Sequence, residues 1–90
     1  MHAEPNYNQV LATVCEELQK MFPDEGPVTA NTDMTRDIPL DSAGTMALVF
    51  ELETKLDVSL PLNDLANVTR VDDLVALILK LRQTPLTDAS

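Results

Sequence analysis

The side chains in this sequence that could do chemistry are few, and the most informative is the serine of the pair Asp41-Ser42. A strongly helical pattern begins directly after the pair, so Asp41 is predicted to be the N-cap that accepts a hydrogen bond from an amide of the first turn. Ser42 then lies in that turn, at the positive end of the helix dipole. A negatively charged group esterified to its hydroxyl would lie where a helix N-terminus favours negative charge. Taken alone, such a pair is more often only a helix cap.

The other reactive side chains do not form a recognisable catalytic or metal site. The chain has one histidine, His2, and one cysteine, Cys15, and it has no glycine-rich phosphate loop. We therefore expect no catalytic residue and no bound metal. Cys15 lies on an apolar helix face with no basic neighbour to lower its pKa, so we interpret it as a small buried hydrophobe. Asp33, Asp37 and Asp41 lack the glycine and terminal glutamate of an EF-hand loop and are interpreted as a solvated acidic loop.

Size and charge limit the classes of function that this chain can serve. Its 90 residues are predicted to form one domain, residues 1–90, with an aliphatic core, because 44% of them are hydrophobic and only 3% aromatic. Fifteen acidic against six basic side chains give a net charge of −9, which argues against nucleic acid and favours partners with a basic surface. No stretch is apolar enough for a membrane span or a signal peptide, so we expect a cytoplasmic protein without a membrane partner. We also expect a monomer.

Hydrophobic periodicity predicts an all-α fold, an irregular four-helix bundle of three main helices and one short helix, with a long loop between helices 1 and 2. The first helix follows Asn6, with Gln9 at the capping-box position, and Pro23 ends it. Residues 23–40 form the long loop. Its apolar residues are expected to hold it across the helices: Val28, Met34, Ile38 and Leu40. Residues 1–5 and 84–90 are predicted to be flexible tails.

The second half of the chain is predicted to contain the short helix and the last main helix. The short helix begins at Pro61 or Leu62 and runs through Ala66. Thr69 is predicted to cap the last helix, with Asp72 at the capping-box position.

Two faces separate on the helix that follows Asp41. One has the spacing of a core-facing stripe: Thr45, Leu48, Val49, Leu52 and Leu56. The other is continuous with Ser42 and is here called the apolar stripe: Ala43, Met46, Ala47 and Phe50. The long loop covers this stripe, or the stripe is exposed as an interaction site. We favour exposure, because the first face already makes a complete inward surface.

Together these residues resemble the acyl carrier protein family, a small helical bundle whose Asp-Ser serine carries phosphopantetheine. The resemblance extends without gaps from about Val28 to Ile78. The Leu-Pro and Thr-x-Val landmarks at the family's distances make the match more specific than the Asp-Ser pair alone. The segments that carry it are Val28-Thr29, Asp37-Ile38-Pro39-Leu40-Asp41-Ser42, Glu51-Leu52-Glu53, Asp57-Val58-Ser59-Leu60-Pro61 and Val68-Thr69-Arg70-Val71.

The resemblance implies that Ser42 carries a covalent 4′-phosphopantetheine, with Asp41 as its neighbour in the family's motif, and that the protein is not an enzyme. The thiol of the arm would hold an acyl or aminoacyl group as a thioester, so the chemistry belongs to the arm and to partner enzymes. The implied partners are a phosphopantetheinyl transferase, a ligase that loads the acyl or aminoacyl group, and downstream synthases or transferases. They are expected to contact Ala43, Met46, Ala47, Phe50, Glu51 and Glu53.

The sequence also departs from the family's pattern. Ala43 follows the serine where the family usually has leucine, and Gly44 and Ala47 occupy positions that are often acidic in fatty-acid carriers. Lys55 adds a positive charge further along the helix. Recognition is therefore expected to rely less on charge and more on the apolar stripe, as in a specialised carrier. Its cargo stays open between acyl, aminoacyl and polyketide groups, and the alternative is an unmodified helical interaction module derived from the same bundle.

Overall fold

Four α-helices form in the segments where apolar residues recur at helical spacing. The computed structural model describes residues 6–83, and the predicted tails, 1–5 and 84–90, lie outside the described residues. The helices are α1 (Tyr7–Met21), α2 (Ser42–Leu56), α3 (Leu62–Leu65) and α4 (Val71–Gln83). Within residues 6–83 the only β-type pairing is an isolated bridge between Asp33 and Arg70. The predicted all-α bundle of three main helices and one short helix is confirmed.

Helix α1 begins and ends as its sequence predicts. The side chain of Asn6 accepts a hydrogen bond from the amide of Gln9 (2.9 Å), and the side chain of Gln9 accepts one from the amide of Asn6 (3.1 Å). This reciprocal pair satisfies two amides at the helix start that have no partner inside the helix. At the other end the amide of Phe22 donates a hydrogen bond to the carbonyl of Leu18 (2.9 Å). The helix ends there because Pro23, the next residue, has no amide hydrogen to donate.

The core is aliphatic and is shared by the three main helices and the long loop. Helix α1 packs against both α4 and α2. Burying each Val, Leu or Ile side chain of such a core stabilises the fold by about 1.5–3 kcal/mol, before the cost of chain ordering. Its members are Val10, Val14, Leu18, Met34, Ile38, Leu48, Val49, Leu52, Leu56, Leu60, Val71, Leu74, Val75 and Ile78.

The long loop is held down by apolar side chains, as expected. Met34 and Ile38 are buried, while Val28 and Leu40 are partly buried against the core. The side chain of Gln19 fastens the start of the loop, because its oxygen accepts from the amide of Val28 (3.0 Å) and its nitrogen donates to a loop carbonyl (2.7 Å). A loop of this length is therefore compatible with a compact domain.

Backbone hydrogen bonds join this loop to the start of α4. The amide of Met34 donates to the carbonyl of Thr69 (2.7 Å), and the amide of Val71 donates to the carbonyl of Thr32 (2.9 Å). The bonds hold the chain extended through Arg70, so the loop and the segment between α3 and α4 behave as one unit on this side of the bundle.

This pairing explains why the predicted cap of α4 is wrong by one residue. Thr69 was expected to be the N-cap and Asp72 the capping-box partner, but the helix begins at Val71. Asp73 accepts the amide hydrogen bond of Arg70 instead (3.1 Å), and that bond lowers the pKa of the Asp73 carboxyl. Asp72 pairs with the guanidinium of Arg70 (3.0 Å). The short helix is confirmed, since α3 begins at Leu62 directly after Pro61.

The C-terminal end of α2 is capped by a side chain from α4. Arg82 donates hydrogen bonds to the carbonyl oxygens of Leu56 (2.9 Å) and Asp57 (3.2 Å). A cation is favourable at this position because the last carbonyls of a helix carry partial negative charge. Among the described residues, no helix has the length and apolarity needed to cross a membrane.

Candidate functional site

Asp41 and Ser42 form the start of α2 as their sequence predicts. Asp41 has extended backbone angles (φ −94°, ψ −174°), and its carboxylate accepts a hydrogen bond from the amide of Gly44 (2.7 Å). The carbonyl of Asp41 accepts the first helical bond, from the amide of Thr45 (2.8 Å). Ser42 is consequently the first residue of the helix, and it is exposed. Its hydroxyl therefore lies at the solvent-facing N-terminus of a 15-residue helix.

Among the described residues, few side chains could activate the hydroxyl of Ser42. Residues 6–83 contain no histidine that could act as its general base, and a serine without such a base is a weak nucleophile. No group of His, Cys, Asp and Glu within this part of the chain could hold a metal ion. Cys15 is half-buried, and burial raises the pKa of its thiol, which makes the reactive thiolate less available.

The apolar stripe of α2 lies in solvent. Of its four residues, Ala43, Met46, Ala47 and Phe50, all are exposed, with 51% of Met46 and 65% of Phe50 accessible. The long loop packs elsewhere, so the interpretation that it covers this stripe is wrong. The face opposite the stripe is buried through Leu48, Val49, Leu52 and Leu56, as expected.

The two glutamates expected at the partner surface are placed differently. Glu51 is exposed beside the stripe. Glu53 is only half-exposed, and its carboxylate accepts a hydrogen bond from the amide of Leu60 (2.8 Å). Glu53 therefore supports the turn that follows α2 as well as lying at the edge of the stripe.

Lys55 lies exposed near the end of α2, and its ammonium group pairs with an acidic side chain of α1. Its Nζ lies 2.6 Å from Oε2 of Glu17 on α1, a side chain that is only 5% exposed. Glu17 was missed by sequence reasoning, although its position three residues after Val14 on the apolar face of α1 could have indicated a buried acid that needs a cation.

A cavity of about 260 Å³ begins next to the start of α2. Leu40, directly before the Asp41-Ser42 pair, and Thr45, one turn beyond it, both line the cavity. Its walls are largely aliphatic and come from the long loop, from α2 and from the region of α3. Among them are Met34, Leu48, Val49, Leu65 and Val68. Sequence reasoning could not find this space, because its walls come from segments far apart in the chain.

Comparison with known proteins identifies the family. Residues 8–78 match the family model described as "Phosphopantetheine attachment site". The chain is 42% identical over 55 residues to a probable acyl carrier protein of Caulobacter vibrioides (strain NA1000 / CB15N), covering 61% of this chain and 64% of that protein.

Two further relatives align over more of the chain. The meromycolate extension acyl carrier protein of Mycolicibacterium smegmatis is 34% identical over 73 residues, which is 81% of this chain and 72% of that protein. The acyl carrier protein of Rhodococcus erythropolis is 31% identical over 80 residues, 89% of this chain and 86% of the relative. The chain therefore belongs to the acyl carrier protein family, whose members bear phosphopantetheine and act as carriers, not as enzymes.

Proposed function

We propose that Ser42 is the residue to which 4′-phosphopantetheine is attached, and that the protein carries an acyl group as a thioester on that arm. The observation that carries this proposal is the placement of Ser42. Ser42 is exposed and is the first residue of α2, directly after the Asp41 cap. It lies inside the region that matches the attachment-site family.

The start of α2 suits a phosphate ester. The phosphodiester of the arm is an anion, and helix N-termini favour anions through their amides and their dipole. The carboxylate of Asp41 accepts a hydrogen bond from the amide of Gly44, which stabilises the first turn of α2. Ser42 remains accessible to a modifying enzyme. The arm, once attached, supplies the thiol on which the cargo is held.

The apolar stripe is the surface that we assign to partner enzymes. Ala43, Met46, Ala47 and Phe50 continue from Ser42 along the exposed side of α2, with Glu51 beside them and Glu53 at their edge. A partner that docks there has the attachment residue within its reach, and tethering raises the effective concentration of the cargo at the docked enzyme. We assign this role to a phosphopantetheinyl transferase, a loading ligase and downstream synthases or transferases, in the cytoplasm.

The cavity favours an acyl cargo over an aminoacyl cargo. Its walls are mainly aliphatic, and it begins within one turn of Ser42. An alkyl chain gains about 0.8 kcal/mol for each methylene that it buries, whereas an amino acid would place a charged ammonium group against the same apolar walls.

Attachment at Ser42 is tested by intact mass after incubation with coenzyme A and a broad-specificity phosphopantetheinyl transferase. The wild-type protein should gain one phosphopantetheine unit. Ser42→Ala should gain none while keeping its helical circular dichroism spectrum. Ser59→Ala, which removes another exposed serine, is the matched control and should be modified normally. Modification of the Ser42→Ala variant would show that the residue is wrong, and an unmodified wild-type protein would favour the unmodified interaction module.

A further inference from the structure

Glu51 follows directly after the apolar stripe on α2, and it is exposed. The residues that precede it in this helix, 42–50, include no charged side chain. Glu51 comes four positions after Ala47 of the stripe, so the two side chains are neighbours on the helix surface. Its negative charge therefore lies next to the apolar surface that a docked partner covers.

Lys55 is the cation that could neutralise Glu51, but it pairs with a different carboxylate. The two residues are four positions apart, in the order that favours an ion pair along a helix. In the structure, Nζ of Lys55 instead lies 2.6 Å from Oε2 of Glu17 on α1. The hydrogen bond to Glu17 raises the pKa of Lys55, and the charge of Glu16, also on α1, adds to this effect. Lys55 is therefore paired with α1 and not along its own helix.

The burial of Glu17 explains this choice of partner. A buried carboxylate without a cation is far more costly than an unpaired charge on the surface. Lys20 approaches the same oxygen at 3.2 Å, so the closer of the two contacts is that of Lys55. Holding Lys55 at Glu17 consequently stabilises the fold more than a surface pair with Glu51 does.

Glu51 is left with a carboxylate that another protein can bind. Within residues 6–83 this carboxylate forms neither a salt bridge nor a hydrogen bond. Glu53, the other glutamate near the stripe, is half-exposed, and its carboxylate accepts a hydrogen bond from the amide of Leu60 (2.8 Å). Of the two glutamates, Glu51 is therefore the one whose charge is available to a partner.

We propose that Glu51 is the charged residue that partner enzymes recognise beside the apolar stripe, and that Glu17 keeps it available by holding Lys55. This surface fits a partner that has an apolar groove for the stripe and one lysine or arginine opposite Glu51. A charge contact at the edge of an interface acts mainly on the rate of association and is weakened by salt. Glu17 does not contact the partner, so it is a positioning residue. The proposal rests on the proposed function, because it requires that partners dock on the stripe.

The role of Glu51 is tested by kcat/KM for modification by the broad-specificity phosphopantetheinyl transferase. Glu51→Gln should lower kcat/KM by about threefold at low ionic strength, and the loss should disappear at about 0.5 M salt. Glu25→Gln, which removes an exposed carboxylate from the turn after α1, is the matched control and should stay near the wild-type value. Glu53→Gln should lower kcat/KM less than Glu51→Gln, because that carboxylate is already bonded within the protein. Equal values for the Glu51 and Glu25 variants, or a loss that persists at high salt, would overturn the role of Glu51.

The role of Glu17 is tested by releasing Lys55 and then removing it. Glu17→Met keeps a side chain of similar size in the buried position but frees Lys55 to pair with Glu51, so kcat/KM should fall about as far as in Glu51→Gln. Glu17→Met/Lys55→Met removes the competing cation and should return kcat/KM to near the wild-type value. A merely structural role of Glu17 would give no such rescue, and its absence in folded variants would overturn this step. Glu51→Gln tests the contact by itself if the Glu17 variants fold poorly.

Two measurements separate the contact at Glu51 from attachment at Ser42. If the wild-type protein takes up phosphopantetheine but Glu51→Gln is modified as fast as Glu25→Gln, Glu51 is not the charged contact, while Ser42 stands. If the wild-type protein takes up no phosphopantetheine, intact mass shows it before any rate is compared, and both proposals fall.

Discussion

Lys55 of α2 and Glu17 of α1 form an ion pair, with 2.6 Å between Nζ and Oε2. Lys20 approaches the same oxygen at 3.2 Å. Hydrogen bonding to Lys55 lowers the pKa of the Glu17 carboxyl, and the same bond raises the pKa of the Lys55 ammonium group. The pair therefore joins two main helices through a buried carboxylate, while the Lys55 side chain stays 39% exposed.

We predict that this pair stabilises the fold mainly around neutral pH. The pKa of Glu17 is lowered on folding, so its contribution is present above the ordinary carboxyl pKa and is lost as the pH falls through the lowered value. The pKa of Lys55 is raised, so its contribution is present below the ordinary lysine pKa and is lost as the pH rises through the raised value. The difference in unfolding free energy between wild type and Lys55→Met, from urea titrations, should be largest near neutral pH and shrink toward both extremes.

Lys20→Met is the matched control for this prediction, because it removes the same charge beside the same carboxylate. Its effect should be smaller, since the Lys20 side chain is 60% exposed against 39% for Lys55 and is more distant from Glu17. In a Glu17→Gln background, Lys55→Met should lose most of its effect. Equal losses from the two lysine variants, or a loss from Lys55→Met that does not vary with pH, would contradict the assignment.

A second prediction concerns Asp57, where α2 ends. It is the only non-glycine residue with positive φ among the described residues, at φ 52° and ψ 55°. This left-handed conformation favours glycine, and a negative side chain at a helix C-terminus opposes the dipole. Asp57→Gly should therefore raise the unfolding free energy by about 1 kcal/mol, measured by urea titration. Asp57→Asn, which removes only the charge, should give a smaller gain, and a loss in both variants would show that the carboxylate has a stabilising role.

What could be predicted from the sequence were interactions between residues close in the chain. The Asn6–Gln9 pair and the Asp41 cap on Gly44 each join residues three positions apart, and residue types at that spacing are a direct signal. The start of α4 could not be placed correctly, because the loop forms a backbone hydrogen bond with Thr69 and the helix begins only at Val71.

The features that could not be predicted from the sequence depend on residues that are distant in the chain. Arg82 caps a carbonyl 26 positions away, at Leu56, and no local pattern indicates such a contact. The cavity walls come from the loop, α2, the region of α3 and Leu74 of α4, so they exist only after these segments pack. Exposure of Phe50 likewise depended on where the long loop would lie, which its apolar residues alone left undecided.

A third prediction follows from the net charge of −9 on 90 residues. Repulsion among the excess carboxylates opposes the compact state, and salt screens it. The thermal midpoint at neutral pH should therefore rise between very low and moderate ionic strength. The Glu17–Lys55 pair should change little over this range because Glu17 is buried, so a flat or falling midpoint would mean that favourable surface pairs outweigh the repulsion.

The last prediction separates docking from stability on α2. Phe50 is 65% exposed, so Phe50→Ala should change the unfolding free energy by no more than about 0.5 kcal/mol. Leu52 is fully buried, and Leu52→Ala should cost about 2–5 kcal/mol through lost packing and a cavity. Exposed aromatic residues that become buried at an interface are frequent hot spots. Phe50→Ala should therefore lower kcat/KM for modification by the transferase by about tenfold, or 1.4 kcal/mol.

Leu62→Ala supplies the control for this loss, because Leu62 is a large apolar residue on α3 that is 55% exposed and lies outside the apolar stripe. Its modification rate should stay near that of the wild-type protein. If Phe50→Ala and Leu62→Ala slow the transferase equally, the loss reflects surface apolarity in general and not a docking position on α2. If Phe50→Ala is instead as destabilising as Leu52→Ala, its ring contributes to the fold and the apolar stripe is not the partner surface.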